Sequence, residues 1–269
     1  MLRQRVITAV ILALGLLAVL FVLPRAWGLT VFGIVFTIGA WEWAALGGLR
    51  HAGWRAAYSL SITALLVLAW LWARDPHRRA LLCFAAFLWW CAAFAWLATA
   101  PEFRRPGLVL VCGVFVLVPS FVAVAAVQCG AGAVHGPQAV LWLLAWVFSA
   151  DIGAYFAGRS FGRRRLAPRI SPGKTWEGVF GGLALSSCMA AAGAHWFGIP
   201  VLPAMSFGFA LIAISIVGDL TESMFKRGAG VKDSGTLLPG HGGVLDRIDS
   251  ITAAAPLYAL GLYSSGALQ

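Results

Sequence analysis

The sequence predicts an all-α polytopic membrane protein of about nine transmembrane helices. Three observations lead there. Of its 269 residues, 61% are hydrophobic and only 11% charged, where a soluble domain carries roughly 25% charged residues. The apolar residues gather into repeated runs of about 20, the length that crosses a bilayer as a helix. Those runs are continuous rather than alternating. That excludes a closed barrel, and lipid then leaves the helix as the spanning structure.

Taken in order, the first run covers residues 6–23 and follows Arg3 and Arg5. These are the flanks of a signal peptide, but no small-residue cleavage site follows "LFVLPRAWG", so it reads as an uncleaved first helix. The next spans fall at 27–46, 56–73, 80–100, 107–128 and 139–157. The run from 177 to 218 is broken only by "GIPVLP", which divides it into spans at 177–198 and 201–218, and the last span is 251–266.

Basic residues orient this series, because cytoplasmic segments accumulate Lys and Arg. With the N-terminus in the cytoplasm, the inner segments hold Arg3 and Arg5, Arg50 and Arg55, and Arg104 and Arg105. They also hold Arg159, Arg163, Arg164, Arg165, Arg169 and Lys174, then Lys226, Arg227, Lys232 and Arg247. Only Arg25, Arg74, Arg78 and Arg79 fall outside, three of them in "RDPHRR". The net charge of +10 thus reads as loops facing anionic lipid, with no nucleic-acid partner. If basic groups converge on one site, they suit an anionic substrate. The cysteines (Cys83, Cys91, Cys112, Cys129 and Cys188) form no CxxC pair. They read as small buried residues rather than metal ligands or disulfides.

Acidic residues divide the chain. Asp151, Glu177, Asp219, Glu222, Asp233, Asp246 and Asp249 all follow residue 150. They lie in or beside two polar segments, 158–176 and 219–250, on the same cytoplasmic side. Residues 1–138 therefore read as plain transmembrane helices, about five spans. Residues 139–269 read as the catalytic membrane region.

Three stretches there could carry chemistry. In "SADIGAYFAGRSFGRRRLAPRISPGKTWEG", Asp151 ends an apolar span, and carboxylates placed so usually face a polar cavity. Arg163, Arg164 and Arg165 read as a membrane-surface anchor. Ser171 followed by Pro172 reads as a helix start, whose free N–H groups favour phosphate. Lys174 adds a charge, Thr175 a hydroxyl and Glu177 a polar contact at the helix start or an indirect support for a metal. A Walker A loop is excluded, because Pro168 stands where that motif needs glycine. In "GDLTESMFKRGAGVKDSG", Asp219, Glu222 and Ser223 share one helical face. Their carboxylates call for a cation or a basic group between them, and Lys226 and Arg227 continue the pattern.

The third stretch is "LLPGHGGVLDRIDS". Pro239, Gly240, Gly242 and Gly243 make a tight turn that lets backbone approach a ligand closely. Asp246 and Asp249 then share a helix face. Hard oxygen donors without cysteine suit Mg²⁺ or Mn²⁺ rather than zinc, and His241, with no second histidine nearby, reads as a loop hydrogen-bonder. Neither GxSxG nor HExxH occurs. Aspartates 219, 246 and 249 with several cations suit phosphoryl or nucleotidyl transfer, which needs positioning and charge neutralisation more than a covalent nucleophile.

The run "SMFKRGAGVKDSGTLLPGHGGVLDRID", Ser223 to Asp249, closely resembles the signature S-x-x-K-R-x₄-K-D-x-G-x-x-L-P-G-H-G-G-x-x-D-R-x-D of the phosphatidate cytidylyltransferase (CDP-diacylglycerol synthase) family. "ADIGAYFAGRSFGRRRLAPRISPGKTWEG" and "GDLTES" resemble its upstream blocks. The likeness is strong over 149–256; over 1–148 it rests on the hydrophobic layout alone. One departure is Ile152 in "ADIG", where "ADTG" is commoner.

The resemblance implies a Mg²⁺-dependent reaction of CTP with phosphatidate in a bacterial inner membrane, giving CDP-diacylglycerol and pyrophosphate. It implies that Asp219 and Asp246 are Mg²⁺ ligands and that Asp249 holds a neighbouring cation such as K⁺. It further implies nucleotide-phosphate contacts from Ser171, Pro172, Lys174 and Thr175, with Glu177 beside them. Lys226, Arg227, Lys232 and Arg247 are expected to bind phosphatidate or pyrophosphate, and Asp151 and Tyr155 to shape the pocket. Ser223, His241, Gly242 and Gly243 belong to the signature and are counted with the substrate-binding set. The active site is expected at the cytoplasmic membrane interface, where lipid and nucleotide meet. The glycine-rich stretch "GVFGGLALSSCMAAAGA" has small residues at packing spacing, within the chain or across a homodimer.

An ion-coupled transporter would place carboxylates near mid-span in repeated halves; here they gather at one face of the second half. A CDP-alcohol phosphotransferase needs D-G-x-x-A-R, which is absent.

Overall fold

The computed structural model of the chain describes residues 2–100, 105–130 and 135–265. Arg104 and the side chains of Arg3 and Arg5, all used above for orientation, lie outside what it describes. Among the described residues there are nine helices: α1 Leu2–Phe21, α2 Arg25–Leu46, α3 Ala52–Trp72, α4 Pro76–Thr99, α5 Pro106–Cys129, α6 Gly136–Phe161, α7 Trp176–Phe197, α8 Val201–Gly228 and α9 Leu245–Ser264. Each expected span lies on one of them. Seven, α2 to α8, are long and apolar enough to cross a membrane. The described side chains of α1, Ile7–Phe21, are apolar as well, and α9 opens with Asp246, Arg247 and Asp249. The chain is an all-α polytopic membrane protein.

Large apolar side chains such as Ile11, Leu60, Phe94, Phe180 and Leu202 point outward, as a bundle solvated by lipid requires. The centre is α5, the most buried span. Ser120 Oγ there donates to Thr252 O on α9 at 2.5 Å, and Phe121 packs edge-on to Phe36 of α2. Close helix contact depends on small residues, as is usual without a hydrophobic drive between helices in lipid. A Cβ on Gly181 of α7 would run into Ala157 Cβ of α6, and one on Gly153 of α6 into Gly181 O. The glycine-rich face of α7 therefore packs within the chain, against α6. Gly218 of α8 does the same for α9: a Cβ there would lie 2.8 Å from Asp249 O.

Two long polar segments differ from their expected form. Helix α8 continues to Gly228 and α9 begins at Leu245, so the loop between them is 229–244 rather than 219–250. Asp219, Glu222, Ser223, Lys226 and Arg227 thus ride on a helix. Likewise α6 runs to Phe161, and the rest of the first segment is a hairpin. Strand β1, Arg165–Ala167, pairs antiparallel with β2, Ser171–Thr175. Ser171 and Pro172 are therefore not a helix start. The helix begins at Trp176, with Thr175 Oγ1 accepting from Gly178 N at 3.1 Å, because Trp176 N is drawn back to Arg164 O at 2.9 Å and keeps the preceding residues extended.

Contacts at the helix ends confirm that they share one face of the bundle. Trp43 near the end of α2 donates to Val109 O at the start of α5, and Tyr58 near the start of α3 to Leu110 O. Trp43 and Trp96, near the end of α4, both meet Phe225 near the end of α8. The hairpin and the α8–α9 loop lie at this same end.

Candidate active site

Three elements bring their polar groups together. The hairpin supplies Lys174, whose Nζ lies 2.5 Å from Asp219 Oδ2 on α8. Asp219 Oδ1 in turn accepts from Ser223 Oγ one turn later, at 3.3 Å. Because Gly218 admits the α9 backbone, Asp249 comes within electrostatic reach of Asp219, Lys226 and Lys174. Asp151, exposed on α6, lies within electrostatic reach of Asp219, Lys174 and Arg247. Acids far apart in sequence thus converge at one end of the bundle.

Asp246 is held more firmly. Its Oδ1 accepts from Lys226 Nζ at 2.6 Å. Its Oδ2 accepts from Ser234 N (2.9 Å), Ser234 Oγ (2.9 Å) and Gly243 N (2.8 Å). The glycine-rich turn makes this possible. Gly242 has φ +80°, and a Cβ there would lie 2.7 Å from Asp246 Oδ2, so only glycine fits both backbone and space. His241 closes the turn, its N donating to Leu238 O at 2.9 Å and its Nδ1 lying 3.4 Å from Pro239 O.

Lys226 also lies 3.0 Å from Glu222 Oε1. That contact is a buried ion pair, and among the described residues Glu222 Oε2 has no hydrogen-bond partner. The carboxylates of Asp151, Asp219, Glu222, Asp246 and Asp249 outnumber the ammonium groups of Lys174 and Lys226 among them.

Other expected site residues sit as follows. Ser171 and Pro172 form the outer part of β2. Tyr155 is exposed, with its OH accepting from Arg159 Nη1 at 2.8 Å. Glu177 accepts from Arg163 N at 3.1 Å and Arg164 N at 3.2 Å, which ties the hairpin to α7. Arg227 donates to Ile170 O at 3.2 Å and so clips the hairpin turn to α8. Lys232 is exposed in the loop and Arg247 on α9.

Between α6, α7, α8 and β2 runs a cavity of about 230 Å³. Ala154, Gly182, Ile212 and Ile216 wall its apolar part, and Asp151 and Lys174 its polar part. A molecule with an apolar body and an anionic end matches it.

Sequence reasoning missed Glu42. It lies near the end of α2, is 3% exposed, and accepts from Val244 N (3.0 Å), Leu245 N (2.7 Å) and Ser234 Oγ (3.0 Å). The available signal was its place inside an apolar span, "GAWEWAAL", where a carboxylate asks for a reason.

A membrane-embedded helical bundle that gathers lysines and carboxylates at one face suits group transfer between charged substrates. The chain belongs to the cytidylyltransferase family, which it matches over residues 3–265, and it is a nucleotidyltransferase. It is 42% identical to phosphatidate cytidylyltransferase of Pseudomonas aeruginosa, over 99% of this chain and 98% of that one. It is 38% identical to the Haemophilus influenzae protein of the same name, over 96% and 98%. With that of Brucella suis it shares 35% identity, over 99% and 94%.

Proposed function

We propose that the chain transfers the cytidylyl group of CTP to phosphatidate, forming CDP-diacylglycerol and pyrophosphate, in the inner membrane of a bacterium. Its site faces the cytoplasm, as does its N-terminus. The phosphate of phosphatidate is already anionic near neutral pH, so its oxygen attacks the α-phosphorus of CTP without a strong base. The bond from that phosphorus to the β-phosphate oxygen breaks, and pyrophosphate leaves. The barrier lies in bringing two anions into line, which positioned cations lower.

The observation that supports this reading best is the meeting of Lys174, Asp219 and Asp249 beside an apolar cavity. Acyl chains follow the walls formed by Ile212, Ile216 and Gly182, which leaves the lipid phosphate beside Lys174 and Arg247. Ser171, Pro172 and Thr175 line the nucleotide side with Lys174. Lys226, Arg227 and Lys232 stand on the pyrophosphate side, next to the turn of His241, Gly242 and Gly243.

The donor set fits a hard divalent ion. It is all oxygen, and the five carboxylates gathered there outnumber the lysines Lys174 and Lys226 that pair with them. Among the described residues no three acid, imidazole or thiol groups form a closed cage. Mg²⁺ does not require one, since one or two carboxylates plus substrate phosphates suffice. Asp219 and Asp246 would hold it, with Asp249 beside a second cation such as K⁺. When bound, the ion neutralises phosphate charge. Meanwhile Lys174 and Lys226 orient Asp219 and Asp246, and Ser223 steadies Asp219.

The test is purified protein in detergent with CTP, phosphatidate and Mg²⁺, following pyrophosphate and CDP-diacylglycerol. Stoichiometric release of both, lost with chelator and restored by Mg²⁺, is expected. No release, with solute uptake into liposomes instead, would overturn the reading in favour of a transporter.

A further inference from the structure

Helix α9 carries Asp246 and Asp249 in its first two turns, yet no side chain of its own caps it. Its N-cap, Val244, makes no side-chain cap bond. An uncapped helix start leaves N–H groups unsatisfied, which is costly where water is excluded. The deficit is met from another helix. Glu42 of α2 takes Val244 N on Oε1 and Leu245 N on Oε2. Its negative charge also sits where the helix dipole favours it.

Two further observations tie Glu42 to Asp246 itself. Ser234 Oγ lies 3.0 Å from Glu42 Oε2 and 2.9 Å from Asp246 Oδ2. A hydroxyl has one proton, so it can donate to only one of the two carboxylates at a time. The loop also packs tightly around Glu42. A Cβ on Gly235 or Gly243 would collide with the Glu42 carboxylate. Two of the loop's five glycines, Gly235 and Gly243, thus make room for a residue in the first half of the chain.

We propose that Glu42 is a positioning residue for the transfer reaction. It caps α9 from outside and, through Ser234, fixes the turn on which Asp246 is presented. When Asp246 Oδ2 turns to another partner, the Ser234 hydroxyl donates its hydrogen bond to Glu42 alone and the loop keeps its shape. The proposal rests on the transfer reading for its kinetic arm only.

The experiment compares wild type with Glu42→Gln, Glu42→Asp and Ser234→Ala in detergent. Hydrogen exchange over residues 243–250 is read alongside kcat and KM for CTP and phosphatidate. Glu42→Gln replaces one oxygen by a donor that faces other donors. Exchange at residues 244 and 245 should rise about 2–30-fold, the effect of losing a helix cap, while the other helices stay protected. The kcat should fall roughly 100-fold, as for a preorganised site knocked out of line, with both KM values within about threefold. Glu42→Asp, which keeps the charge, should recover part of kcat. Ser234→Ala should lower kcat without exposing α9, and combining it with Glu42→Gln should cost less than the sum of the two. Unchanged exchange in Glu42→Gln, or activity lost only in proportion to folded protein, would overturn the proposal. If Glu42→Gln does not fold, the same readings on Glu42→Asp and Ser234→Ala decide it. Should wild type release no pyrophosphate, the transfer reading fails, while the exchange data still judge the cap.

Discussion

Lys226 on α8 donates to Asp246 on α9 across 2.6 Å, with Glu222 Oε1 3.0 Å from the same nitrogen. All three are buried or nearly so, and breaking one partner of a buried ion pair strands the others. Lys226→Met should therefore destabilise the protein by about 3–5 kcal/mol and abolish transfer. Lys226→Met with Glu222→Gln should regain part of the stability but not the activity. Thermal unfolding in detergent beside a pyrophosphate assay checks both.

Asp246→Asn tests the proposed cation ligand. The amide keeps the shape but puts a donor where one carboxylate oxygen stood, facing Lys226 or the Ser234 and Gly243 amides. Mg²⁺-dependent CDP-diacylglycerol formation should fall at least about 100-fold, while the protein still inserts and elutes as a folded species. Full activity would remove Asp246 from the ion.

Lys174 is the hairpin's one direct link to Asp219 among the side-chain bonds described. Removing a preorganised cation from a charge-transfer site costs roughly 100- to 1,000-fold in kcat. Lys174→Met should show that loss with little change in unfolding temperature, because the pair is a quarter exposed. Lys174→Arg should retain more.

The contact of α6 with α7 predicts a stability effect without a chemical one. Gly181→Val places branched carbons where Ala157 and Gly153 O already stand. Overpacking of this kind costs about 1–3 kcal/mol. The measurable result is a lower unfolding temperature, with specific activity of the folded fraction falling less than for Lys174→Met.

Orientation can be read with single cysteines in a cysteine-free background. Arg164→Cys, in the hairpin, should resist a membrane-impermeant maleimide added to intact spheroplasts and react after lysis. Arg78→Cys, at the opposite end, should react in both. The reverse pattern would turn the proposed topology over.

Much of this architecture was legible because hydropathy in a membrane protein is a strong signal: lipid allows few alternatives to a helix. All nine helices lie where apolar runs placed them. That Asp219, Asp246 and Asp249 fall at one end of the bundle was legible, because the stretches carrying them join two consecutive spans. Local geometry was less legible. The Ser171–Pro172 pair looks like a helix start, but pairing with Arg165–Ala167 makes it a strand, and such long-range pairing leaves little trace in a five-residue window. Likewise α8 runs three turns past its apolar part, because Glu222, Ser223 and Lys226 are buried against other helices rather than solvated. Glu42 was hidden for a different reason. Its partners lie about 200 residues away, and the search for chemistry was confined to residues 139–269, where acids cluster.

The distance between Glu42 and its partners has a consequence for biogenesis. A ribosome adding about 5–20 residues per second needs on the order of 10–40 s to advance from residue 42 to residue 245. Throughout that interval α2 sits in the bilayer with a carboxylate whose native donors have not been made. Newly inserted α2 must keep that group at the headgroup level, and the bundle cannot lock until translation is nearly finished. A chain stalled before residue 234 would be an inserted bundle in which Glu42 has none of its three native donors.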